Sequence, residues 1–267
     1  MSDLIFAVKN VTLRFGGVVS LNDVSIEQRR GEILAIIGPN GAGKTSLFNS
    51  LTGVYQPQEG SIDFFGRDGK ETAIIGRKAY RVAKLGIART FQASRMFSAL
   101  TTFENVKIGA EDHSGVGIIG AMLRGPHTRR DEMRSDARTV ELLEFVGLTS
   151  RANTIAASLS YGDRRRLEIA RGLATDPQVL LLDEPAAGTN PAEKIELANL
   201  IRRVRDEMGV TILLIEHDMK LVMSLAERLY VLNFGSVIAQ GVPEEIRANP
   251  IVIEAYLGTT TEEAERP

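Results

Sequence analysis

The sequence contains no cysteine. That excludes a disulfide framework and any metal site built on thiolates. Charge of one sign is also lacking: 32 Lys and Arg stand against 34 Asp and Glu, a formal net charge of -2. A basic excess of the kind that marks a nucleic-acid footprint is therefore missing. Long hydrophobic runs are missing too. The longest weakly polar stretch, Gly115 to Leu123, falls far short of the ~20 residues a membrane helix needs. Met1-Ser2-Asp3-Leu4-Ile5 has no basic region ahead of an apolar core, so a signal peptide is not expected. The expectation is a soluble, cytoplasmic chain that meets a membrane only through a partner. With 267 residues, 43% of them hydrophobic, the chain can bury one large domain or a core with a subdomain.

What is present is organised around Gly38-Pro39-Asn40-Gly41-Ala42-Gly43-Lys44-Thr45. The stretch fits the phosphate-binding pattern G-x-x-x-x-G-K-[ST] at every fixed position. Glu32 to Ile37 before it has the look of a buried parallel strand, and Ser46 to Leu51 after it reads as the first turns of a helix. Strand, glycine loop and helix together are the context the motif requires. Glycines let the backbone curl until several N–H groups point at one anion, and the helix start adds its positive dipole end. Lys44 supplies a mobile positive charge for the β- and γ-phosphates, Thr45 a hydroxyl for Mg²⁺, and Ser46 belongs with the phosphate-binding residues.

Around this loop the remaining signals fall in order. Ile5 to Arg14 and Val19 to Ile26 alternate as strands, joined at Phe15-Gly16-Gly17. Phe15 is either a packed turn aromatic or a platform on which a base stacks, and taken alone the packed reading is preferred. Gly60 to Phe65 reads as a strand, Arg77 to Lys84 as a helix, and Ile87 to Phe91 as a strand ending on Gln92. Open α/β sheets bind ligands at that end, although Gln92 taken alone reads first as a solvated loop amide. From Ala93 to Asp176 the pattern is mostly helical. Thr101 and Glu104 form a capping-box pattern, Glu111 to Arg130 reads as a loop or insertion, and Asp131 to Val146 as an amphipathic helix with Val140, Leu143 and Phe145 apolar. Ser160 and Asp163 resemble a second capping box opening the helix Arg164 to Ala174, with Leu167, Ile169, Ala170 and Leu173 inward and Arg164, Arg165 and Glu168 outward.

Val179 to Leu182 is a buried strand delivering Asp183 and Glu184 to the sheet's carboxyl edge. Two acids in a row suggest separate tasks: Asp183 to hold Mg²⁺ through its water shell, Glu184 to orient or deprotonate an attacking water. Asn190-Pro191 opens a helix to about Met208. Val210 to Ile215 is another buried strand, ending on Glu216-His217-Asp218. His217, one of three histidines, is either a surface or cap residue or a γ-phosphate contact, and its place at the same sheet edge as Gln92 and Asp183 favours the second. A closing hairpin and helices from Pro243 and Ile251 follow, and Thr259 to Pro267 reads as a polar, frayed tail.

Taken together these residues resemble the ATP-binding subunit of ABC transporters, from Phe6 to Leu257. The discriminating feature is Leu159-Ser160-Tyr161-Gly162-Asp163 followed by Arg166 and Ala170-Arg171, which resembles the ABC signature. The order of P-loop, Gln92, signature, Asp183-Glu184 and His217 is the family's order. Phe15 falls where the family places its adenine-stacking aromatic, which overturns the packed reading. Within the family, Tyr161 replaces the usual glycine and Asp163 the usual glutamine, and Ala187-Gly188-Thr189-Asn190 stands where Ser-Ala-Leu-Asp is commoner. Ser-Tyr-Gly, Asp-Glu-Pro-Ala-Ala-Gly and Ile215 to Met223 resemble the larger ATPase of branched-chain amino acid importers.

The resemblance implies an α/β P-loop nucleotide-binding domain with an N-terminal antiparallel β region and an inserted helical subdomain. Residues 1–92 and 177–257 would form the ATP-binding core, 93–176 the helical subdomain and 258–267 the tail. It implies ATP and Mg²⁺, the latter held by Thr45, Gln92 and Asp183, and catalysis by Glu184, His217 and Lys44. The partners implied are a second ABC ATPase subunit in a homo- or heterodimer, two membrane permeases and, indirectly, a substrate-binding protein, at the cytoplasmic face of the plasma membrane. Ser160 and Gly162 form a second anion site, and one chain does not need both for one nucleotide. Two chains head to tail would let them clamp the γ-phosphate held by Lys44 of the other. Ser94 to Leu100, with Met96, Phe97 and Leu100 exposed, resembles the region that receives a permease. A motor for another cargo such as urea or a lipid is the rival reading. A non-transport ABC ATPase is a further one, against which stand a single P-loop and no sustained heptads.

Overall fold

Period-two alternation within short apolar runs builds the centre of the molecule. The computed structural model describes residues 3–90, 96–111 and 126–263. Strands β1 (Leu4–Phe15), β2 (Val18–Arg29) and β3 (Ile33–Ile37) precede helix α1 (Lys44–Leu51). Next come β4 (Glu59–Phe65), β5 (Glu71–Ala73), α2 (Ala79–Ala83) and β6 (Ile87–Arg89). Helices α3 (Thr102–Glu111), α4 (Pro126–Phe145) and α5 (Tyr161–Ala174) follow. The chain closes with β7 (Val179–Asp183), α6 (Pro191–Met208), β8 (Thr211–Ile215), α7 (Met219–Leu225), β9 (Arg228–Asn233), β10 (Ser236–Gly241), α8 (Pro243–Ala248) and α9 (Pro250–Glu263).

The strands form two sheets. One is antiparallel, in the order β2-β1-β4-β5, and the other has the order β10-β9-β3-β8-β7-β6. In the second, β9, β3, β8, β7 and β6 run parallel and β10 antiparallel. This is the α/β class with an antiparallel N-terminal region that the sequence implied.

Along the central strands, Ile33, Ala35, Leu180, Leu182, Ile212 and Leu214 enter one core cluster. Leu34, Ile36, Val179, Leu181, Leu213 and Ile215 enter the other. Alternate residues serve opposite faces, and the runs read as continuously apolar because both faces are covered. The first cluster takes Val106, Leu143, Leu167 and Leu173 from α3 to α5, and Leu197, Ile201 and Val204 from α6. The second takes Leu47, Phe48 and Leu51 of α1, and Phe6, Val8 and Phe64 of the antiparallel sheet. Each such side chain contributes roughly 1.5–3 kcal/mol on burial. α1 and α6 leave β3 and β7 toward opposite faces, the arrangement in which open α/β sheets take their ligands at the carboxyl edge.

Several expectations change. Strand β5 was not foreseen: Glu-Thr-Ala carries no pattern, and it forms by edge pairing with β4, Phe64 opposite Thr72. Helix α4 begins at Pro126, inside the stretch read as a loop. Val140 on it is 51% exposed while Leu142 and Leu143 are buried, so its apolar stripe is rotated from the expected one. On α5, Arg165 and Glu168 are buried rather than solvated, because they pair with each other at 2.8 Å. Met96 and Leu100 are half-buried, and of the expected trio Phe97 alone is exposed. The last helix runs to Glu263, into the expected tail. Gln92 and the rest of 91–95 lie outside the described residues.

Candidate nucleotide site

β3 ends on Ile37 and the chain turns at once through Gly38 and on to Gly43. A Cβ at Gly38 would lie 2.1 Å from the Leu232 carbonyl oxygen, and one at Gly43 (φ 100°) 2.6 Å from the Ser20 carbonyl oxygen. Neither position admits a side chain. The loop is braced from two sides: the Gly235 N–H donates to the Ala42 carbonyl at 3.1 Å, and the Ser20 and Ser46 hydroxyls share a hydrogen bond of 2.7 Å. Pro39 is buried, whereas Asn40, Gly41 and Thr45 are exposed. Among the described residues, α1 has neither an acidic residue in its first turn nor a side-chain cap. Its first N–H groups are thus left for an anion.

Lys44, 8% exposed, folds back over the loop. Its Nζ donates to the Gly38 carbonyl at 2.6 Å and the Pro39 carbonyl at 2.8 Å. Burial lowers its pKa below the usual lysine value, opposed by the charges of Glu184 and Asp183. Those two carboxylates therefore act on Lys44 electrostatically, across the strand β8 that lies between β3 and β7.

Asp183 closes β7 with 4% exposure. Its Oδ2 accepts from Arg89 Nη2 at 2.7 Å, and Arg89 also donates to Asn49 Oδ1 at 2.6 Å. Glu184 follows in a left-handed conformation (φ 46°), uncommon for a residue with a side chain and typical of functional sites. Its N–H donates to the Ile215 carbonyl at 2.9 Å, which ties the end of β7 to the end of β8. His217 Nδ1 lies 3.9 Å from Glu184 Oε2, with 59% of the His217 side chain exposed. The structure thus brings the P-loop, Lys44, Asp183, Glu184 and His217 to one edge.

Phe15 ends β1, half-exposed, with its ring edge-on to Tyr55 at 4.9 Å between centroids. Five residues further along the same hairpin, Ser20 touches the P-loop. Ser160 and Gly162 lie elsewhere. Ser160 caps α5, its Oγ accepting from the Asp163 N–H at 3.1 Å, and it lines a cavity of about 140 Å³ with Glu193 and Glu196 that includes no P-loop residue. Asp163 does not return the bond as a full capping box would.

Three residues at this edge escaped the sequence reading. Arg89 stands 94 positions from Asp183, and nothing local to it signals a partner. Glu216, fully buried, accepts from the N–H groups of Ala186 (2.8 Å), His217 (3.0 Å) and Asp218 (3.2 Å). Burial raises the pKa of the Tyr256 hydroxyl of α9, and the nearby Gly38 backbone opposes the rise. Glu216 stands beside His217, and nothing local in the sequence signals that its carboxylate gathers backbone N–H groups from two loops.

A divalent cation fits the donor chemistry of this edge. The Asp183 carboxylate and the Thr45 hydroxyl are hard oxygen donors of the kind Mg²⁺ takes beside phosphate oxygens. Among the described residues no cluster of three His, Cys, Asp or Glu could hold a metal alone; phosphate oxygens and water would complete the shell. No described helix is long and apolar enough to cross a membrane.

Comparison with known proteins places these features in a family. Residues 21–187 match the ABC transporter family, and residues 236–261 match the branched-chain amino acid ATP-binding cassette transporter family. The chain is 47% identical to the high-affinity branched-chain amino acid transport ATP-binding protein LivG of Salmonella typhimurium, over 97% of this chain and 99% of that one. It is 46% identical to BraF of Pseudomonas aeruginosa, which carries the same description, at the same coverage. Among solved structures, the ADP conformation of MJ1267, an ATP-binding cassette of an ABC transporter, superposes with a TM-score of 0.81 at 31% identity, covering 96% of this chain and 99% of that one. The chain belongs to the ATP-binding subunits of ABC transporters, enzymes that hydrolyse ATP to drive transport.

Proposed function

We propose that this chain is the ATP-hydrolysing motor of an importer for branched-chain amino acids, peripheral to the cytoplasmic face of the plasma membrane. The observation that carries the motor is the convergence of Lys44, Asp183, Glu184 and His217 on one sheet edge. In this reading the P-loop amides from Gly38 to Ser46 and Lys44 bind the β- and γ-phosphates. Thr45 and Asp183, with Gln92, would hold Mg²⁺, whose chemistry there would be to neutralise charge on the phosphates. Glu184 orients or deprotonates the water, His217 contacts the γ-phosphate, and Phe15 stacks on adenine. Ser160 and Gly162, remote from their own P-loop, serve the nucleotide of a second ATPase subunit set head to tail. ATP closes that pair and hydrolysis reopens it. Residues 93–176 act as the subdomain that carries this second anion site, beside a core of 1–92 and 177–257.

Two permeases receive the motion, and through them a substrate-binding protein is served. A cavity of about 730 Å³ supports this reading. It is lined by Val54 and Tyr80 on one side and Ile108 and Arg171 on the other. Val54, Tyr80 and Ile108 are each 40% exposed or more. The cargo is supported by the described role of the relatives. Uptake of radiolabelled leucine and urea by a deletion strain at low concentration tests it. Lost leucine uptake is expected; unchanged leucine uptake with lost urea uptake would leave the motor and refute the cargo.

A further inference from the structure

We propose that Tyr161 is a positioning residue for the ATPase reaction, fixing the segment that leaves Glu184 to the helix that carries Ser160. The inference rests on the site reading above. A Cβ built on Gly188 would lie 3.1 Å from Tyr161 Cζ and 3.3 Å from Cε1 and Oη. The ring tip therefore rests on the Gly188 backbone, which is left-handed at φ 78°. Gly188 is four residues beyond Glu184 in a tight turn: the Ala187 N–H donates to the Glu184 carbonyl at 3.1 Å, and the Thr189 N–H to that of Ala186 at 3.2 Å. A shift at Gly188 is passed to Glu184 through these short bonds.

The ring is held from behind. Arg165 Nη2 donates to Tyr161 Oη at 2.5 Å, and the Arg165 guanidinium lies 4.9 Å over the ring. Arg165 Nη1 donates in turn to Glu168 Oε2 at 2.8 Å, both side chains less than a tenth exposed. Swinging the ring away would strip a partner from a buried charge, which is costly. A second contact keeps the same two elements in register. Glu193 accepts from the Asn190 N–H at 2.9 Å, and its Oε1 lies where a Cβ on Gly162 would approach to 3.0 Å. The helix start that carries Ser160 and the segment that follows Glu184 are thus in direct contact.

The two departures from the family pattern also explain each other. A ring at 161, where glycine is usual, faces a residue without a side chain at 188, where alanine is commoner. The ring and an alanine methyl would crowd each other.

The test is a double-mutant cycle on the full chain, Tyr161→Gly, Gly188→Ala and both. It reads kcat, nucleotide affinity with a fluorescent ATP analogue, and hydrogen exchange at 186–190. Backbone strain from alanine at φ 78° is common to both backgrounds and cancels. Gly188→Ala is expected to lower kcat about fivefold or more further with Tyr161 present than in Tyr161→Gly, a coupling within the range for touching residues. Nucleotide affinity, read on the monomeric chain at low concentration, stays within about twofold across the cycle, since neither residue touches the P-loop of its own chain. Exchange at Ala186 to Thr189 quickens in Tyr161→Gly, and Tyr161→Phe, which keeps the ring, restores the protection. An equal cost of Gly188→Ala in both backgrounds overturns the proposal, as does unchanged exchange in Tyr161→Gly. The exchange arm needs no ATP, so it reads the contact even if the site reading fails; that failure shows separately, as wild-type hydrolysis in Lys44→Ala.

Discussion

The carboxylate of Glu216 accepts the N–H of Ala186 at 2.8 Å, joining the loop after β8 to the loop after β7. The same carboxylate takes the N–H groups of His217 and Asp218. One fully buried side chain thereby braces the two loops that carry Glu184 and His217, beside the Glu184–Ile215 backbone bond. An amide in its place offers one accepting oxygen and two donors, so at least one of the three N–H groups loses its partner. That costs about 1–3 kcal/mol. Glu216→Gln should therefore lower the thermal midpoint by several degrees, on the scale of roughly 2–4 °C per kcal/mol for a chain of this size. It should also slow hydrolysis more than it weakens nucleotide binding. Thermal unfolding and steady-state ATPase assays check both, and a variant with unchanged midpoint and turnover would show that the link is dispensable.

How far the sequence could be read follows from the range of the interactions. β3, β7 and β8 were legible because their apolar runs and polar terminators are local. The convergence of Lys44, Asp183, Glu184 and His217 on one edge followed from parallel strands ending together. Arg89 was not legible, since its partner lies 94 residues away. Arg165 and Glu168 read as solvated charges because helical spacing shows which residues are neighbours, not that they are buried together. Val140 reads as core by type, and the packing of α4 turns it to solvent. Strand β5 is made by its neighbour rather than by its own residues.

Lys44→Ala removes a charge-assisted contact worth about 1.5–3 kcal/mol. ATP affinity should fall by roughly one to two orders of magnitude at 1.4 kcal/mol per tenfold, and hydrolysis should be lost. Equilibrium binding and phosphate release measure the two effects. Wild-type turnover in this variant would remove the P-loop assignment.

Glu184→Gln retains the shape of the residue but removes the carboxylate proposed as the base. It should bind Mg·ATP and hydrolyse it at least about 10²-fold more slowly, the usual range for losing a general base. ATP should then hold the closed pair, read by light scattering of the variant alone or with its partner ATPase. Normal turnover would show that Glu184 is not the catalytic carboxylate.

Arg89→Ala leaves the Asp183 carboxylate buried without its cation. Breaking one side of a buried pair destabilises by about 3–5 kcal/mol, so the nucleotide-free variant should unfold at a clearly lower temperature. Mg²⁺ bound with nucleotide returns a positive charge to Asp183. The stabilisation on adding Mg·ATP should therefore be larger in the variant than in the wild type. Thermal unfolding with and without Mg·ATP separates the cases; an equal gain in both proteins would mean that Arg89 and Mg²⁺ do not act on the same carboxylate.

The permease-docking reading rests on exposed apolar side chains around one cavity, and it can be tested without touching the nucleotide site. Tyr80, 56% exposed, lies on its rim. Phe97, 46% exposed, has the Arg171 guanidinium 5.2 Å over its ring, and Arg171 lines the same cavity. Apolar surface left open beside a groove is how interaction patches look, and aromatic and arginine side chains are the usual anchors of such interfaces. Tyr80→Asp and Phe97→Asp each place a charge where a partner would have to desolvate it. Both should keep ATP affinity in solution, because neither side chain belongs to the P-loop or to the carboxyl edge of β7 and β8. Co-purification with the two permeases should fall by at least about tenfold, the effect of losing an interface anchor worth 1.4 kcal/mol or more. Normal recovery of the membrane complex with both variants would move the docking site elsewhere on the subunit and leave the motor assignment intact.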